Sequence, residues 1–247
     1  MSNNQLPDFL KESQRTEDWF KHRIGKFTGS GIAKLMSKGR GKDQLWGETA
    51  KSYVFEKLYE RVSNSVIKIP ETYQMQKGKE IEEEAVRVFG ERTRFYVKQA
   101  EFIVSEQYPF IGASPDGLVY DSKDRLVGIF ETKCRLDSTM LKNAFVKVDS
   151  KHDAFWQLQT EMLAAGVKQA YFTHYSDERE PPFDIQIQIV ERDDKALSEM
   201  IERATIANKV IEDAIAKVGR IDDKRISFIT LTERMIEMRQ YIWNNLN

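Results

Sequence analysis

Residues 110–134 read FIGASPDGLVYDSKDRLVGIFETKC. Three short runs in it, Phe110–Ala113, Gly117–Tyr120 and Leu126–Lys133, are β-rich and separated by turn residues, and Ala100–Ser105 just before them has the same character. Asp121-Ser122-Lys123-Asp124 joins the last two as a hairpin-type loop. Side chains alternate along a strand, so Glu131 and Lys133 share one side while Phe130 and Thr132 take the other. An acid and a lysine together on an otherwise apolar strand are costly unless they are paired or bind something. Asp116 begins the strand expected to lie beside this one, so two carboxylates and a lysine converge at one end of a sheet.

Hard divalent cations such as magnesium take oxygen ligands, often one or two carboxylates completed by substrate phosphate and water. A lysine close by positions a water or offsets charge developing on a phosphate. Asp116, Glu131 and Lys133 thus meet the chemical requirements of phosphodiester hydrolysis. The same residues also fit a turn aspartate beside a plain strand salt bridge, and the pattern in isolation arises often by chance.

Working outward, the flanking segments turn helical. Glu17–Lys38 carries a helical pattern broken at Phe27-Thr28-Gly29-Ser30, where Thr28 or Ser30 is placed to cap a following helix bearing Ile32, Leu35 and Met36. Glu48–Arg61 sets Tyr53, Val54 and Leu58 on one face, and Gln74–Glu91 makes an apolar stripe of Ile81, Ala85, Val88 and Phe89. Glu82 flanks that stripe and is within reach of the sheet; Glu83 and Glu84 face solvent. Beyond the central strands, Ser150–Ala165 reads as helix ended by Gly166. Gln169–Tyr175 and Phe183–Val190 read as strands, Asp193–Val218 as a long helix capped by its Asp pair, and Leu231–Asn244 as an appended helix. The expected fold class is α/β (α+β), a mixed β-sheet flanked by helices.

With 247 residues, 40% hydrophobic and 31% charged, the composition is that of an ordinary globular protein. No apolar run approaches a membrane span, and the N-terminal residues lack the apolar core of a secretion signal, so a cytoplasmic location is expected. The single cysteine, Cys134, excludes a disulfide framework or an iron–sulfur cluster built from this chain alone. Net charge is −1, but Trp19–Lys42 holds seven Lys or Arg and no acid. Such a local basic segment suits phosphate.

Five motifs now line up in order: Trp19–Gly25 with Thr28-Gly29-Ser30; Gly78–Glu82; Ser114–Gly117; Glu131–Cys134; and Gln157-Leu158-Gln159. Together they resemble the phage lambda-type exonucleases, or YqaJ-like viral recombinase nucleases, of the PD-(D/E)xK superfamily, over roughly residues 15 to 218. The resemblance implies a restriction-endonuclease-like core: one nuclease domain over 1–218, with a helical DNA-end-binding part at 15–65 and a catalytic core at 74–218, followed by a helical extension at 219–247. It implies that Asp116, Glu131 and the Thr132 carbonyl ligate Mg2+, with Mn2+ as a substitute, that Glu82 supports a second metal or its waters, that Lys133 assists the attacking water, and that Gln157 orients the site. It implies a 5′-phosphate pocket at Arg23, Ser30 and Ser114. An arginine fork and a hydroxyl at a helix start suit an anion, although Ser30 is equally a plain helix cap.

The implied activity is 5′→3′ digestion of one strand of linear double-stranded DNA to mononucleotides, leaving a 3′ single strand for recombination. The implied partners are duplex DNA ends, two further copies in a homotrimer, and a single-strand annealing protein. Trp46 reads either as a wedge between DNA strands or as a core or interface residue. Alternatives are another PD-(D/E)xK nuclease (RecB-like, Cas4-type or an endonuclease) and a non-catalytic DNA-end-binding protein. Four cysteines are usual for the Cas4 type, and one is present here.

Overall fold

The computed structural model describes residues 17–41, 44–66, 73–134, 144–219 and 226–246, with the side chains of 17–19 and 73–80 left out. Lys42 of the basic run, the side chains of Trp19 and Gly78–Glu80, and residues 15–16, 220–225 and 247 of the expected parts lie outside what is described. The chain runs α1 (Glu17–Arg23), β1 (Phe27–Thr28), α2 (Ile32–Leu35), α3 (Glu48–Ser63), α4 (Tyr73–Thr93), β2 (Tyr96–Lys98), β3 (Ile103–Val104), β4 (Ile111–Ala113), β5 (Gly117–Tyr120) and β6 (Leu126–Lys133). It continues with α5 (Phe155–Ala165), β7 (Gln169–Tyr175), β8 (Ile185–Glu191), α6 (Asp194–Val218) and α7 (Phe228–Asn245).

Five strands form a mixed sheet in the order β2-β5-β6-β7-β8, antiparallel except for the parallel pair β6–β7 that α5 connects. Alternation along β6 sorts its side chains between two cores. Ile129 packs with Phe155, Leu158 and Met162 of α5, whereas Phe130 packs with Ala85, Val88 and Phe89 of α4. The Phe89 and Phe130 rings lie 5.0 Å apart, a tilted contact that locks α4 on its face. Both faces of β6 are therefore covered, which is why its run from Gly128 to Thr132 is buried throughout.

A second, three-stranded sheet, β1-β4-β3, was only half visible in the sequence. β1 pairs in parallel with β4 through Phe27↔Ile111 and Thr28↔Gly112, where sequence pattern showed a helix break. The helix after it starts at Gly31 with no side-chain cap, so neither Thr28 nor Ser30 caps it. β2 was also unforeseen, and α5 begins at Phe155 rather than Ser150. The cap at α6 is as expected: the Asp193 carboxylate accepts from the N–H groups of Lys195 and Ala196.

The helical layer (α2, α3, α6, α7) shares one core, to which Trp46 belongs. Its ring is buried under the Arg203 guanidinium at 4.7 Å, so Trp46 is a core residue and not a DNA wedge. The C-terminal helix is no loose appendage, since Met238, Ile242 and Leu246 are fully buried in the same core. Phe155 and Trp156 likewise serve packing. Among the described residues, no helix is long and apolar enough to cross a membrane.

One buried polar knot ties this layer to the β1 approach. Gly25, at φ +64°, makes the turn between α1 and β1, and its N–H donates to Glu60 Oε2 at 2.9 Å. Glu60 Oε1 accepts from Lys57 Nζ at 2.8 Å, and Arg61 donates to the Gly25 carbonyl and to Asn208 of α6. Replacing Glu60 by Leu leaves a buried N–H unpaired and strips Lys57 of its better partner, with Glu56 remaining. The expected loss is about 2–4 kcal/mol, read as a lowered urea midpoint at unchanged m-value.

Candidate active site

At the end of β5 nearest the α5 N-terminus, the ladder stops and side chains take over. The last β5–β6 pair is Gly117↔Phe130; two residues further along β6, the Thr132 N–H donates to Asp116 Oδ2 at 2.8 Å instead of to a strand. N–H and C=O of one strand residue point to the same edge, so the Thr132 carbonyl also faces the β5 edge where Asp116 lies. On the α5 face of β6, Lys133 Nζ donates to Glu131 Oε1 at 2.7 Å, and Gln157 Nε2 donates to the same oxygen at 2.7 Å. Glu131 is 3% exposed, and its other oxygen, Oε2, is buried with no hydrogen-bond partner.

Glu82 belongs to α4, on the opposite face of the sheet, yet its charge is felt at Asp116 and at Cys134. Burial pushes the Asp116 carboxyl well above the usual carboxylate range, and the carboxylates of Glu131 and Glu82 add to the rise. Burial, then Glu82, pushes the Cys134 thiol up to about 12, so it is an inert thiol. For Lys133, burial works downward but Glu131 and Asp116 outweigh it; the net shift is upward and the amine stays an ammonium.

Two features escaped sequence reading. Glu161, one turn after Gln157 on α5, is 1% exposed and accepts from Gln157 Nε2 at 2.9 Å. Burial, with Glu131 next, raises its carboxyl well above the ordinary range. The i, i+4 spacing from Gln157 was the available signal. His174 is the register partner of Lys133 on β7 and lines, with His152, Asp153 and Gln157, a cavity of about 240 Å³ beside it. Burial lowers His174 to about 4, so this imidazole is neutral near pH 7.

Of the expected phosphate residues, Ser30 and Ser114 follow strands of the small sheet and Arg23 ends α1. β1 and β4 run parallel in register Thr28↔Gly112; Ser30 lies in the turn that follows β1, and Ser114 directly follows β4. Ser30 is exposed. The Arg23 guanidinium lies over the Phe102 ring at 5.1 Å, and that ring packs on Gly112, two residues before Ser114. Gln159, the other glutamine of its motif, is structural, because its amide bridges the Glu191 carbonyl and the Asp193 N–H where β8 meets α6.

Among the described residues, no three His, Cys, Asp or Glu side chains already close into a metal cage. The set present is open: the Asp116 and Glu131 carboxylates, a free Glu131 oxygen and the Thr132 carbonyl, all hard oxygen donors. Such a set fits magnesium, which keeps waters and substrate oxygens in its shell, better than a soft thiophilic ion. Without a cation, the raised Asp116 carboxyl keeps its proton at pH values where the unfolded chain has lost it. The folded form then binds more protons, and stability falls as pH rises from about 4 through the raised value. In chelator, Asp116→Asn is therefore expected to gain on wild type with rising pH, by up to about 1.4 kcal/mol per unit, in melting curves taken at stepped pH. A gain that shrinks with pH contradicts this.

Comparison with known proteins follows the same lines. Residues 18–168 match the YqaJ-like viral recombinase domain. Among solved structures, the chain is similar to an alkaline exonuclease from Laribacter hongkongensis, at 27% identity over 82% of this chain and 96% of that one, with a TM-score of 0.69. The same exonuclease in complex with dAMP gives 26% identity, the same coverage and a TM-score of 0.70. A phage-related exonuclease from Haemophilus somnus 129PT shares the fold at 21% identity, 78% and 96% coverage and a TM-score of 0.61. No curated protein matches the sequence.

Proposed function

Given that the chain belongs to the YqaJ-like viral recombinase domain family, we propose that it is a magnesium-dependent exonuclease that digests one strand of linear duplex DNA in the 5′→3′ direction. The observation that carries the reading is that Asp116, accepting from the Thr132 N–H, and the Glu131–Lys133 pair come together where the β5–β6 ladder ends. That the similar structures are exonucleases, one holding dAMP, supports DNA as substrate and mononucleotides as product.

Asp116, Glu131 and the Thr132 carbonyl would hold Mg2+, or Mn2+ in its place, with Glu82 supporting a second ion or its waters. Bound there, the ion supplies positive charge against the charge that builds on the scissile phosphate. Lys133, kept as an ammonium, donates rather than accepts, and so orients the attacking water or the phosphate oxygens. Gln157 fixes the Glu131 oxygen that Lys133 shares. Arg23, Ser30 and Ser114 take the 5′-phosphate, which accounts for end dependence and direction. A metal-free, purely binding role is disfavoured by the full retention of both acids and the lysine.

The family resemblance extends the proposal to a homotrimer around DNA and to an annealing protein that receives the exposed strand. Exposed Phe145 and Val146 support an assembly face, since Gln188 of the edge strand β8 ties the 144–146 segment to the sheet through two carbonyls.

The test is a linear duplex with 5′-phosphate at one end and 5′-hydroxyl at the other, beside a closed circle. Mononucleotides are expected from the phosphorylated end only with magnesium. Lys133→Ala and Asp116→Asn are each expected to lower turnover by about 10²-fold or more. Cleavage of the circle indicates an endonuclease; end binding without turnover indicates a binding protein.

A further inference from the structure

We propose that Glu161 is a positioning residue of the hydrolytic centre, holding the Gln157 amide against Glu131 and adding a buried charge that strengthens divalent-cation binding. The inference rests on the reading above, that a cation sits at Asp116 and Glu131. Gln157 Nε2 reaches both acids, Glu131 Oε1 at 2.7 Å and Glu161 Oε1 at 2.9 Å. Both acid oxygens accept from the amide nitrogen, and these two contacts fix which end of the amide faces inward. A flipped Gln157 would set its carbonyl oxygen against both.

The position of Glu161 makes little sense for stability alone. It is 1% exposed, and the turn after β1 closes over it: a Cβ on Gly29 would stand 3.6 Å from its Cγ. Its Oε2 is buried without a partner, as is Glu131 Oε2. A glutamine or methionine would fill the same space without placing a third acid beside Asp116 and Glu131, where Lys133 is the neighbouring cation. A bound divalent ion gives that third charge a use. The residue touches no reacting atom; it acts through Gln157 and through its field.

The test is calorimetric titration of Mg2+ and Mn2+ into DNA-free wild type, Glu161→Gln, Glu161→Met and Asp116→Asn, with melting curves in chelator. Both Glu161 variants are expected to bind the cation about tenfold more weakly, and to melt in chelator no lower than wild type. A merely structural residue would give the reverse: a lowered melting point and an unchanged cation affinity. Either that pattern, or failure of both variants to fold, overturns the proposal. Cation binding that Asp116→Asn abolishes and Glu161→Gln leaves intact removes this proposal alone. Absence of cation binding by wild type removes it together with the metal-dependent reading.

Discussion

Glu131 Oε1 is one oxygen that accepts from two donors, the Lys133 ammonium and the Gln157 amide, on a buried side chain. Much of the architecture serves that contact. β6 has to be central and covered on both faces to keep Glu131 buried. α5 has to begin near the end of β6 so that Gln157 reaches over, and the parallel β6–β7 pair with its helical crossover supplies that arrangement. Removing one partner of such a buried group costs more than the contact gains, so the fold and the site stand together.

The same electrostatics explains why the acids sit on elements from different layers. Asp116 comes from a strand start, Glu131 from the sheet interior, Glu82 from the α4 face and Glu161 from α5. Like charges gathered on one flexible segment would spread apart in solvent. Here each is held by a separate packed element, and the repulsion between them is balanced by hydrophobic contacts such as Phe89–Phe130 and Ile129–Leu158.

What the sequence revealed followed the strength of its periodicity. β6 was legible because Glu131 and Lys133 interrupt an apolar strand at alternate positions, and α4 and α6 because their stripes run for several turns. β1 was not, because two residues carry no period, and its pairing with β4 joins segments 84 positions apart. β2 was hidden behind the end of α4, where Arg94 turns the chain at φ +63°. Trp46 in a polar stretch looked functional, but the Arg203 that covers it lies far along the chain. Glu161 was the most consequential miss. An acid on an amphipathic helix reads as solvent-facing, and the turn at Gly29, after a strand of the other sheet, packs against it.

Ser114 and Asp116 are separated by a single residue, Pro115, whose ring fixes its own φ. Two residues of chain span at most about 7 Å, so the distance between the Ser114 and Asp116 backbones is limited by covalent geometry. Under the exonuclease reading this short, stiff link is a ruler. The spacing between a 5′-phosphate held at Ser114 and the carboxylate of Asp116 is then set by bond lengths and not by the relative placement of separate elements.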